Sequence, residues 1–589
     1  MLNQQREEDN VSIDLDTPYD ISNENNRGYC RVVRFTARDG SPKEIQIPLG
    51  DIYRDGGEVA RRLADEGLRF PNPRTLLDTL RKADPERVEK YASKPGWFGS
   101  SFVLPDETFG SSQKIPIIGH NKNPFTVSGT VEEWREHIGQ YCSGNSMLVF
   151  AVSVALAGPL MRLVGEPSGG FHLYGRNGRG KSTALYVAAS VWGGRNGCFH
   201  RWRTTDNALE GVAVLHNDGL LCLDELKQAE GKALGNMIYM LANEQGKNRL
   251  TKDGDSRDTK TWRLLALSTG EASAEDLIKD AGQQYFGGQE ARLTPLSADA
   301  GHGLGLFENI HGFKEAGDFA KMLDFKTQQY HGAAIREFLR CLTSEATLPA
   351  GIRQLLRMEE NLTASLFKAL KAIQNAITPD RASVEVRRVA GRFATVGLAG
   401  ELATSMGITG WREGEAIEAA QRLIGEWSDG RGSSASSDDE AVMDRVRGFI
   451  QQHSKTPRLP RLSEDMASIH ANDRAYNLAG YTLERKKHGT VFLFIPKVFR
   501  EEICKGNLKM ALDALLKDGY LEPDPSEAGN RNRRRMRVLG SNQYFYCIKA
   551  SILEERAAAE SGSGDNLRDD LEAGTMGTGN IYTASELRQ

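Results

Sequence analysis

The sequence predicts an α/β protein whose central domain is built around a phosphate-binding loop, with smaller modules on either side. Residues 175–182 have the sequence G-R-N-G-R-G-K-S and fit the pattern G-x-x-x-x-G-K-S/T at every fixed position. The apolar run 171–174 before the loop is typical of a buried strand, and residues 183–190 after it are typical of a helix. A strand, this loop and a helix in succession are the context that the motif requires.

The residue types in this loop suit the binding of ATP phosphates. Glycines let backbone N–H groups approach phosphate oxygens, and the helix N-terminus adds a partial positive charge. We expect Lys181 to reach the β- and γ-phosphates and Ser182 to hold Mg²⁺. The alternative interpretation, a glycine-rich surface turn, leaves the flanking strand and helix unexplained. The predicted nucleotide contacts are Gly175, Asn177, Gly178, Gly180, Lys181, Ser182 and Thr183.

Composition narrows the class of protein. The formal net charge of -4 gives no global attraction for nucleic acid, so any basic surface must be local. Seven cysteines without C-x-x-C spacing argue against a zinc ribbon and favour a reducing compartment. The one long apolar run, 147–164, contains Pro159 and Arg162, so we expect a buried helix and no membrane partner. With its polar, acidic first residues, the chain is predicted to be soluble and cytoplasmic.

Changes in composition and periodicity predict the domain organisation. The alternating runs 30–36 and 43–48 around Asp39-Gly40 indicate a hairpin in a small module without a catalytic constellation, suited to recognition or assembly. The polar ends predict disorder, and a Ser/Gly/Asp-rich stretch predicts a linker. The predicted segments are a disordered N-terminus (1–28), an α+β module (29–125), the ATPase core (126–330), a helical lid (331–428), the linker (429–440), a winged-helix-like domain (441–556) and a disordered tail (557–589).

An apolar strand, 220–223, ends in the acids Asp224 and Glu225. A carboxylate at a strand end beside the loop can hold the Mg²⁺ shell, and a second acid can orient and deprotonate the attacking water. We therefore assign Asp224 to the metal, with Ser182, and Glu225 as the general base. An apolar run ending in Asp-Glu is a weak signal alone, and its distance downstream of Lys181 strengthens it.

The next strand, 264–267, ends at Ser268-Thr269. In an ATPase with an added central strand, a polar side chain here senses the γ-phosphate. We assign this role to Ser268, with Thr269 as the alternative and an ordinary strand end as the other interpretation. Arg292 precedes a last strand, where ring ATPases place a finger that reaches the neighbour's γ-phosphate. A plain surface arginine is the alternative.

Residues 246–262 lie between the acidic strand and the sensor strand and contain an Asp-Gly turn between basic arms. In a ring, a hairpin here projects into the pore, where its cations can grip phosphates of a threaded strand. Lys252 at the tip is the leading candidate for DNA binding, supported by Lys247 and Arg249. A solvated surface hairpin is the alternative.

Several motifs resemble a bacterial family long catalogued as a domain of unknown function, found in phage and integrative-element proteins beside primase modules. They are W-R-T-T-D-N-A-L-E at 202–210, L-D-E at 223–225, L-A-N-E-Q-G-K at 241–247 and S-T-G-E at 268–271, with Gly96-Trp97, 103–106, 392–394 and 399–404 in support. The resemblance covers roughly residues 30 to 452. The family is similar to AAA+ replicative helicases of the superfamily 3 and MCM-like kind, which implies a hexameric DNA-translocating ATPase.

The C-terminal part adds two further sets of arginines. Apolar positions at helical spacing predict the lid, from which Arg388 or Arg392, or the neighbouring Arg387, could contact the γ-phosphate. Helices at 441–453 and 508–517 precede strands at 536–539 and 543–548, which predicts a winged helix. The basic run on its wing contributes candidate contacts to the DNA backbone, although a solvated face is the alternative. These wing residues are Arg533, Arg534 and Arg535.

Together these observations predict a ring-forming, ATP-dependent DNA helicase or translocase for replication of a phage or mobile element. Its expected partners are single-stranded or forked DNA, further copies of the chain in a hexamer, and a primase, because no constellation of acids for priming stands out. One alternative is an ATP-switched initiator or helicase loader that does not unwind DNA. Another is a defence or regulatory ATPase that acts on protein.

Overall fold

The computed structural model forms two compact units, described separately here. One contains residues 386–428 together with the chain before residue 381, and the other contains most of the chain from Asp429 onward. The structure describes residues 13–54, 56–118, 123–247, 259–344, 361–379, 382–429, 437–470, 473, 475–486, 489–504, 508–524 and 532–553.

The chain begins with a five-stranded sheet covered by three helices. Strand β3 pairs antiparallel with β4 over its whole length and with β1 and β2 on its other edge, and β2 also pairs with β5. Apolar side chains of β3, β4 and the helices form one core cluster. The elements are β1 (Leu15–Asp16), β2 (Asp20–Ser22), β3 (Cys30–Thr36), β4 (Pro42–Pro48), α1 (Leu49–Tyr53), α2 (Gly57–Asp65), α3 (Pro73–Lys82) and β5 (Val88–Lys90).

Two of these strands contradict the predicted disorder of residues 1–28. Asp20 in β2 is buried and accepts hydrogen bonds from Arg31 of β3, with an Oδ1–Nε distance of 3.0 Å. The polar composition of this segment did not indicate a strand, because the charge of Asp20 is neutralised by Arg31 on the neighbouring strand. Residues 1–12 lie outside the described part of the chain.

A small antiparallel sheet of β6 (Gly96–Phe98), β7 (Ser101–Val103) and β8 (Thr108–Phe109) follows. Trp97 joins this sheet to the domain that follows in the chain. Its indole Nε1 donates to the Pro159 carbonyl at 2.8 Å, and its backbone N–H donates to Asp218 Oδ2 at 3.0 Å. Asn217 adds a hydrogen bond from its side chain to the Pro95 carbonyl.

The central sheet has five parallel strands in the order β10-β11-β12-β9-β13. Their carboxyl ends lie along one edge because all five run in the same direction. Strand β12 lies between β9, which enters the phosphate-binding loop, and β11, which ends in the acids. The strands are β9 (Gly169–Tyr174), β10 (Phe199–Arg201), β11 (Gly219–Asp224), β12 (Leu264–Gly270) and β13 (Leu293–Ser297).

Helices cover this sheet. The apolar helix Ser146–Val164 packs against the sheet and against the helix that follows the loop. It is long and apolar enough to cross a membrane, but 89% of its apolar window is buried inside the structure, which confirms the predicted core helix. The helices are α4 (Val131–Trp134), α5 (Gln140–Cys142), α6 (Ser146–Val164), α7 (Lys181–Trp192), α8 (Arg195–Cys198), α9 (Asp206–Leu215), α10 (Gly231–Ala242), α11 (Ala274–Asp280), α12 (Gly287–Glu290), α13 (Ala316–Gln329) and α14 (Ala333–Leu342).

Three more helices complete this unit: α15 (Leu362–Ile377), α16 (Val384–Ser405) and α17 (Glu415–Asp429). Helix α16 is buried along most of its length. Its Phe393 packs against Phe150 of α6 and Phe171 of β9. Part of the region predicted as a lid is therefore a core helix of the sheet domain.

The second unit has a six-stranded sheet, with β19 pairing with β16, β17 and β18. Because its first helix begins at Ser437, the predicted linker 429–440 ends earlier than expected; residues 430–436 and the predicted tail lie outside the described residues. The elements are α18 (Ser437–His453), β14 (Arg461–Leu462), β15 (Gly480–Arg485), β16 (Gly489–Phe494), α19 (Pro496–Val498), α20 (Leu508–Lys517), β17 (Leu521–Glu522), β18 (Arg534–Val538) and β19 (Ser541–Lys549).

Candidate nucleotide-binding site

A cavity of about 350 Å³ lies at the carboxyl edge of the central sheet. The loop between β9 and α7, the ends of β11 and β12, and helix α13 all contribute to it. Its lining residues are Asn177, Gly178, Arg179, Gly180, Lys181, Ser182, Thr183, Asp224, Glu225, Lys227, Thr269, Gly270, Glu271, Gly317 and Ala320. All the predicted loop contacts except Gly175 are thus in its wall.

The conformation of the loop depends on its glycines. Gly175, Gly178 and Gly180 have φ values of +148°, +76° and +85°, in the region that favours glycine. A Cβ atom on Gly180 would also lie 2.8 Å from the Phe307 ring. The chain can therefore curve into α7 at Lys181, so that the N-terminus of this helix faces the cavity.

Lys181 is held inside the curve of the loop. Its Nζ donates to the carbonyl oxygens of Gly175 at 2.7 Å and Arg176 at 2.8 Å. Burial lowers the pKa of Lys181, and the nearby carboxylates of Glu271, Asp224 and Glu225 oppose this shift. The ammonium group thus lies where an anionic ligand of the cavity would meet it.

The two predicted acids lie beside the loop. Asp224, the last residue of β11, accepts a hydrogen bond from the Thr269 hydroxyl. Glu225 is exposed and has a φ of +61°, and its carboxylate accepts a hydrogen bond from Gln228 at 3.2 Å. Such backbone conformations of non-glycine residues cluster at functional sites. Ser182 and Asp224 both line the cavity with oxygen donors, the ligands that Mg²⁺ prefers.

The structure places Thr269, and not Ser268, in the cavity wall. Successive residues of a strand point to opposite faces of the sheet, so only one of this pair can face the nucleotide site. Ser268 is fully buried and is hydrogen-bonded to His172 and Trp202. Ser268, the residue predicted as the sensor, therefore does not face the cavity, and its stated alternative, Thr269, does.

Sequence reasoning missed Glu271 as a cavity residue. Its carboxylate accepts a hydrogen bond from the Asn177 side chain, and Lys227 Nζ lies 3.7 Å from it. The position directly after β12 was the available signal, since residues there must lie at the same edge as the loop. Gly317 and Ala320 of α13 gave no such signal, because they reach the cavity by tertiary packing.

The predicted arginines Arg292 and Arg392 lie away from this cavity. Arg292 precedes the amino end of β13, where its Nη1 donates to the Gly288 carbonyl at 2.8 Å and its guanidinium lies 4.6 Å from the centre of the Tyr239 ring. Arg392 is buried in α16 and donates to the Ala291 carbonyl at 2.8 Å. Burial lowers the pKa of Arg392 to about 10.

The predicted role of Arg392 at the γ-phosphate does not fit this position. Its guanidinium lies so close to Gly169, at the amino end of β9, that a Cβ atom there would be 2.2 Å from Cζ. Arg392 thus occupies the sheet edge opposite the loop. Arg388, on the same helix, is exposed and does not line the cavity either.

Of the basic hairpin, the structure describes the base. Gln245 and Thr261 form an antiparallel bridge, and Gly246 N–H donates to the Lys260 carbonyl at 2.8 Å. Lys247 is paired with Asp206 of α9, with an Nζ–Oδ2 distance of 2.7 Å. Arg249 and Lys252 lie outside the described residues.

In the second unit, the wing arginines separate into two groups. Arg534 faces inward, and its Nη1 lies 3.1 Å from Glu522 Oε2. The Glu522 carboxylate also accepts from Arg485. Arg535 and Arg537 alternate with it and are exposed, opposite Tyr544 and Asn542 of β19. The structure therefore puts Arg537 beside Arg535 on the outward face and removes Arg534 from it.

Arg533, also exposed, places its guanidinium 5.7 Å from the centre of the Tyr544 ring. The basic run 531–537 included Arg537, but the run did not reveal which face each residue takes, and Tyr544 was missed. The outward face of β18 and β19, with Arg533, Arg535, Arg537 and Tyr544, is called the wing face below.

Comparisons with known proteins fit this description of a mixed α/β fold with a phosphate-loop cavity. The model of the family "Domain of unknown function (DUF927)" matches residues 3–261, somewhat less than half of the chain. The solved structure of SCCmec type IV Cch, described as an active helicase, superposes with a TM-score of 0.66. It is 16% identical, and the match covers 92% of this chain and 96% of that one.

At this identity the match establishes a shared fold, and the predicted resemblance to helicases is confirmed at that level. A structure of NtrX from Brucella abortus is 14% identical, and the match covers 50% of this chain and 70% of that one. Its TM-score of 0.21 is too low to indicate a shared fold. No curated protein matches the chain in sequence.

Proposed function

We propose that this protein is an ATP-dependent DNA helicase or translocase that works as a ring in the replication of a mobile element. The observation that carries the proposal is the convergence of Lys181, Ser182, Asp224, Glu225 and Thr269 on one cavity at the carboxyl edge of a parallel sheet. Phosphoryl transfer from ATP needs this set: a cation, metal ligands, a base and a polar group that orients them.

The roles follow from the contacts. Lys181 neutralises charge on the β- and γ-phosphates, and the loop N–H groups hold their oxygens. Ser182 and Asp224 would hold Mg²⁺, which supplies further charge neutralisation between the phosphates. Glu225, exposed at the mouth of the site, accepts the proton of the attacking water. Thr269 fixes the orientation of the Asp224 carboxylate by its hydrogen bond.

The strand order supports membership of the AAA+ class, because β12 is inserted between the loop strand and the acidic strand. In that class ATP binds between subunits. Arg292, at the opposite edge of the sheet from its own loop, would then reach the neighbour's γ-phosphate. Arg388, exposed on α16, is a second candidate for such a contact.

Two basic regions are proposed to bind DNA. Lys247, with Arg249 and Lys252, would line the pore of the ring, and the wing face would be a second surface that holds DNA phosphates. The name of the fold neighbour, an active helicase, favours unwinding over loading. We also propose that a primase works with this protein. The second unit is proposed to be a winged-helix-like domain, and the other domain assignments of the sequence analysis are part of the same proposal.

Strand displacement on a forked DNA tests the proposal, together with ATP turnover measured with and without single-stranded DNA. The wild-type protein should open the fork, and Lys181→Ala should abolish both turnover and opening. Lys279→Ala, an exposed lysine of α11 outside the cavity wall, is the matched control and should keep both activities. Turnover in Lys181→Ala equal to that of the wild type would contradict the proposed site.

The same assay separates the second candidate function, an ATP-switched initiator or loader. That protein would bind DNA and hydrolyse ATP but leave the fork intact. The modest net charge and the local basic surfaces fit either function, so fork opening decides between them.

A further inference from the structure

A fully buried polar network lies next to the nucleotide cavity and has no role in the chemistry described above. It consists of Trp202, Ser268 and His172. Trp202 Nε1 donates to Ser268 Oγ at 2.8 Å, and Ser268 Oγ lies 2.9 Å from His172 Nδ1. His172 Nε2 lies 3.0 Å from the Ala272 carbonyl.

The protonation of this network follows from its partners. A carbonyl can only accept, so His172 carries its proton on Nε2, and Nδ1 accepts from the Ser268 hydroxyl. Burial lowers the pKa of His172 to about 4, so the ring is neutral at physiological pH. Each donor then has one acceptor, and the network has a single arrangement of hydrogen bonds.

The network joins three segments that shape the cavity. His172 is in β9, three residues before Gly175 of the loop. Ser268 precedes Thr269, the residue that donates to Asp224. Trp202 holds Asp224 as well, because its backbone N–H donates to the Asp224 carbonyl at 3.1 Å. A shift of Asp224 or Thr269 would therefore change the hydrogen bonds that Trp202 makes to Asp224 and Ser268.

On its other side, Trp202 leads into α9, which holds the base of the basic hairpin. Thr205 caps this helix, and Asp206 in its first turn pairs with Lys247 Nζ at 2.7 Å. Glu210, one turn later and buried, accepts from the Lys247 N–H at 3.0 Å. Trp202 thus stands between the nucleotide cavity and Lys247.

We propose that Trp202 is a positioning residue that couples the nucleotide cavity to DNA bound at Lys247. The inference rests on the proposed function and deepens it. When a phosphate of DNA competes with Asp206 for Lys247, α9 loses this ion pair with the base of the hairpin. Trp202 transmits that change to Asp224 and Ser268. Because coupling between two sites is reciprocal, nucleotide at Asp224 also changes the affinity of Lys247 for DNA.

The test is the ratio of ATP turnover with single-stranded DNA to turnover without it. Trp202→Phe keeps an aromatic ring and the backbone contact to Asp224 but removes the indole donor, and we expect its ratio to fall towards one. Asp206→Asn, at the other end of the path, should lose stimulation in the same way.

Trp134→Phe is the matched control. Trp134 is equally buried and also donates to a serine, Ser190 Oγ at 3.0 Å, but this pair lies between α4 and α7, away from Lys247. A purely structural loss would lower the melting temperature of both variants and leave both ratios unchanged. If Trp202→Phe proves unstable, Ser268→Ala removes the acceptor instead and should also lower the ratio.

Two outcomes overturn the inference in distinguishable ways. Stimulation that persists in Trp202→Phe and Ser268→Ala, at the wild-type ratio, rejects the coupling and leaves the proposed function intact. Wild-type turnover that does not respond to DNA rejects the proposed function, and the coupling with it.

Discussion

The carboxyl and amino edges of the central sheet, where its parallel strands end and begin, differ in how their polar side chains are engaged. At the carboxyl edge, Ser182 and Glu225 are exposed beside a cavity, and Lys181 donates hydrogen bonds to carbonyls of its own loop. At the amino edge, Arg292 and Arg392 are engaged with backbone carbonyls and packed against neighbouring groups. Within one chain, we therefore place the proposed chemistry at the carboxyl edge, and we expect Arg292 and Arg392 at the other edge to serve packing or another subunit.

Arg292 tests whether a charged residue at the amino edge of the sheet takes part in catalysis in another subunit. If it serves a neighbouring subunit, Arg292→Ala should bind ATP but turn it over about 10³-fold more slowly, the effect of losing an arginine finger. Mixing it with Lys181→Ala should restore part of the turnover, because some subunit seams then combine an intact Lys181 with an intact Arg292. Steady-state turnover of the mixture measures this. A mixture no more active than its components would assign Arg292 to packing.

The carboxyl edge is tested by Glu225→Gln. Loss of the proposed base should slow ATP turnover by about 10²-fold or more while binding persists, because the amide keeps the size of the side chain but cannot take a proton. Nucleotide binding and turnover are measured on the same preparation. Glu230→Gln, an exposed acid outside the cavity wall, should behave as the wild type. Equal turnover in the two variants would remove Glu225 from the chemistry.

Arg392 should affect stability and not catalysis. Arg392→Met removes a buried donor and a charge that lowers the pKa of the half-buried Glu166, so we expect a loss of about 3 kcal/mol in the free energy of unfolding. Denaturant unfolding measures it. Burial already raises the pKa of Glu166, so the folded state binds this proton more tightly than the unfolded state and stability increases as the pH falls.

Without Arg392 the pKa of Glu166 rises further. The loss in the free energy of unfolding of Arg392→Met, relative to the wild type, should therefore become smaller at acidic pH. A deficit that does not change with pH would exclude Glu166 as its cause.

In the second unit, the arginine that is paired with a carboxylate can be compared with the arginines that are exposed. The expected effect, on the salt dependence of DNA binding, is the smallest of those predicted here. Arg535→Ala or Arg537→Ala should lower the salt dependence of DNA binding by about one unit in the slope of log K against log salt. Arg534→Ala, which is paired with Glu522, is the control and should leave this slope unchanged. Equal slopes for all three variants would exclude the wing face from DNA contact.

How far the sequence could predict this molecule depends on the kind of constraint. The loop 175–182 was predictable because its backbone conformation requires glycine at fixed positions. The strand ending at Ser268-Thr269 was also located, but the side facing the cavity depends on the phase of the strand in the sheet. Arg392 shows the same limit for a helix. Helical spacing placed it on α16, while its buried contacts are with Gly169 of β9 and the Ala291 carbonyl, which are distant in sequence.

Trp97 has a consequence for dividing the protein into parts. Its indole and backbone N–H satisfy the Pro159 carbonyl and the Asp218 carboxylate, and burial raises the pKa of Asp218 while this N–H opposes the shift. A truncated fragment of the central sheet domain that starts after residue 100 would leave both acceptors without these donors. The shortest stable fragment should therefore start upstream of Pro95, and the small sheet of β6 to β8 should be expressed with the central sheet domain and not with the N-terminal module.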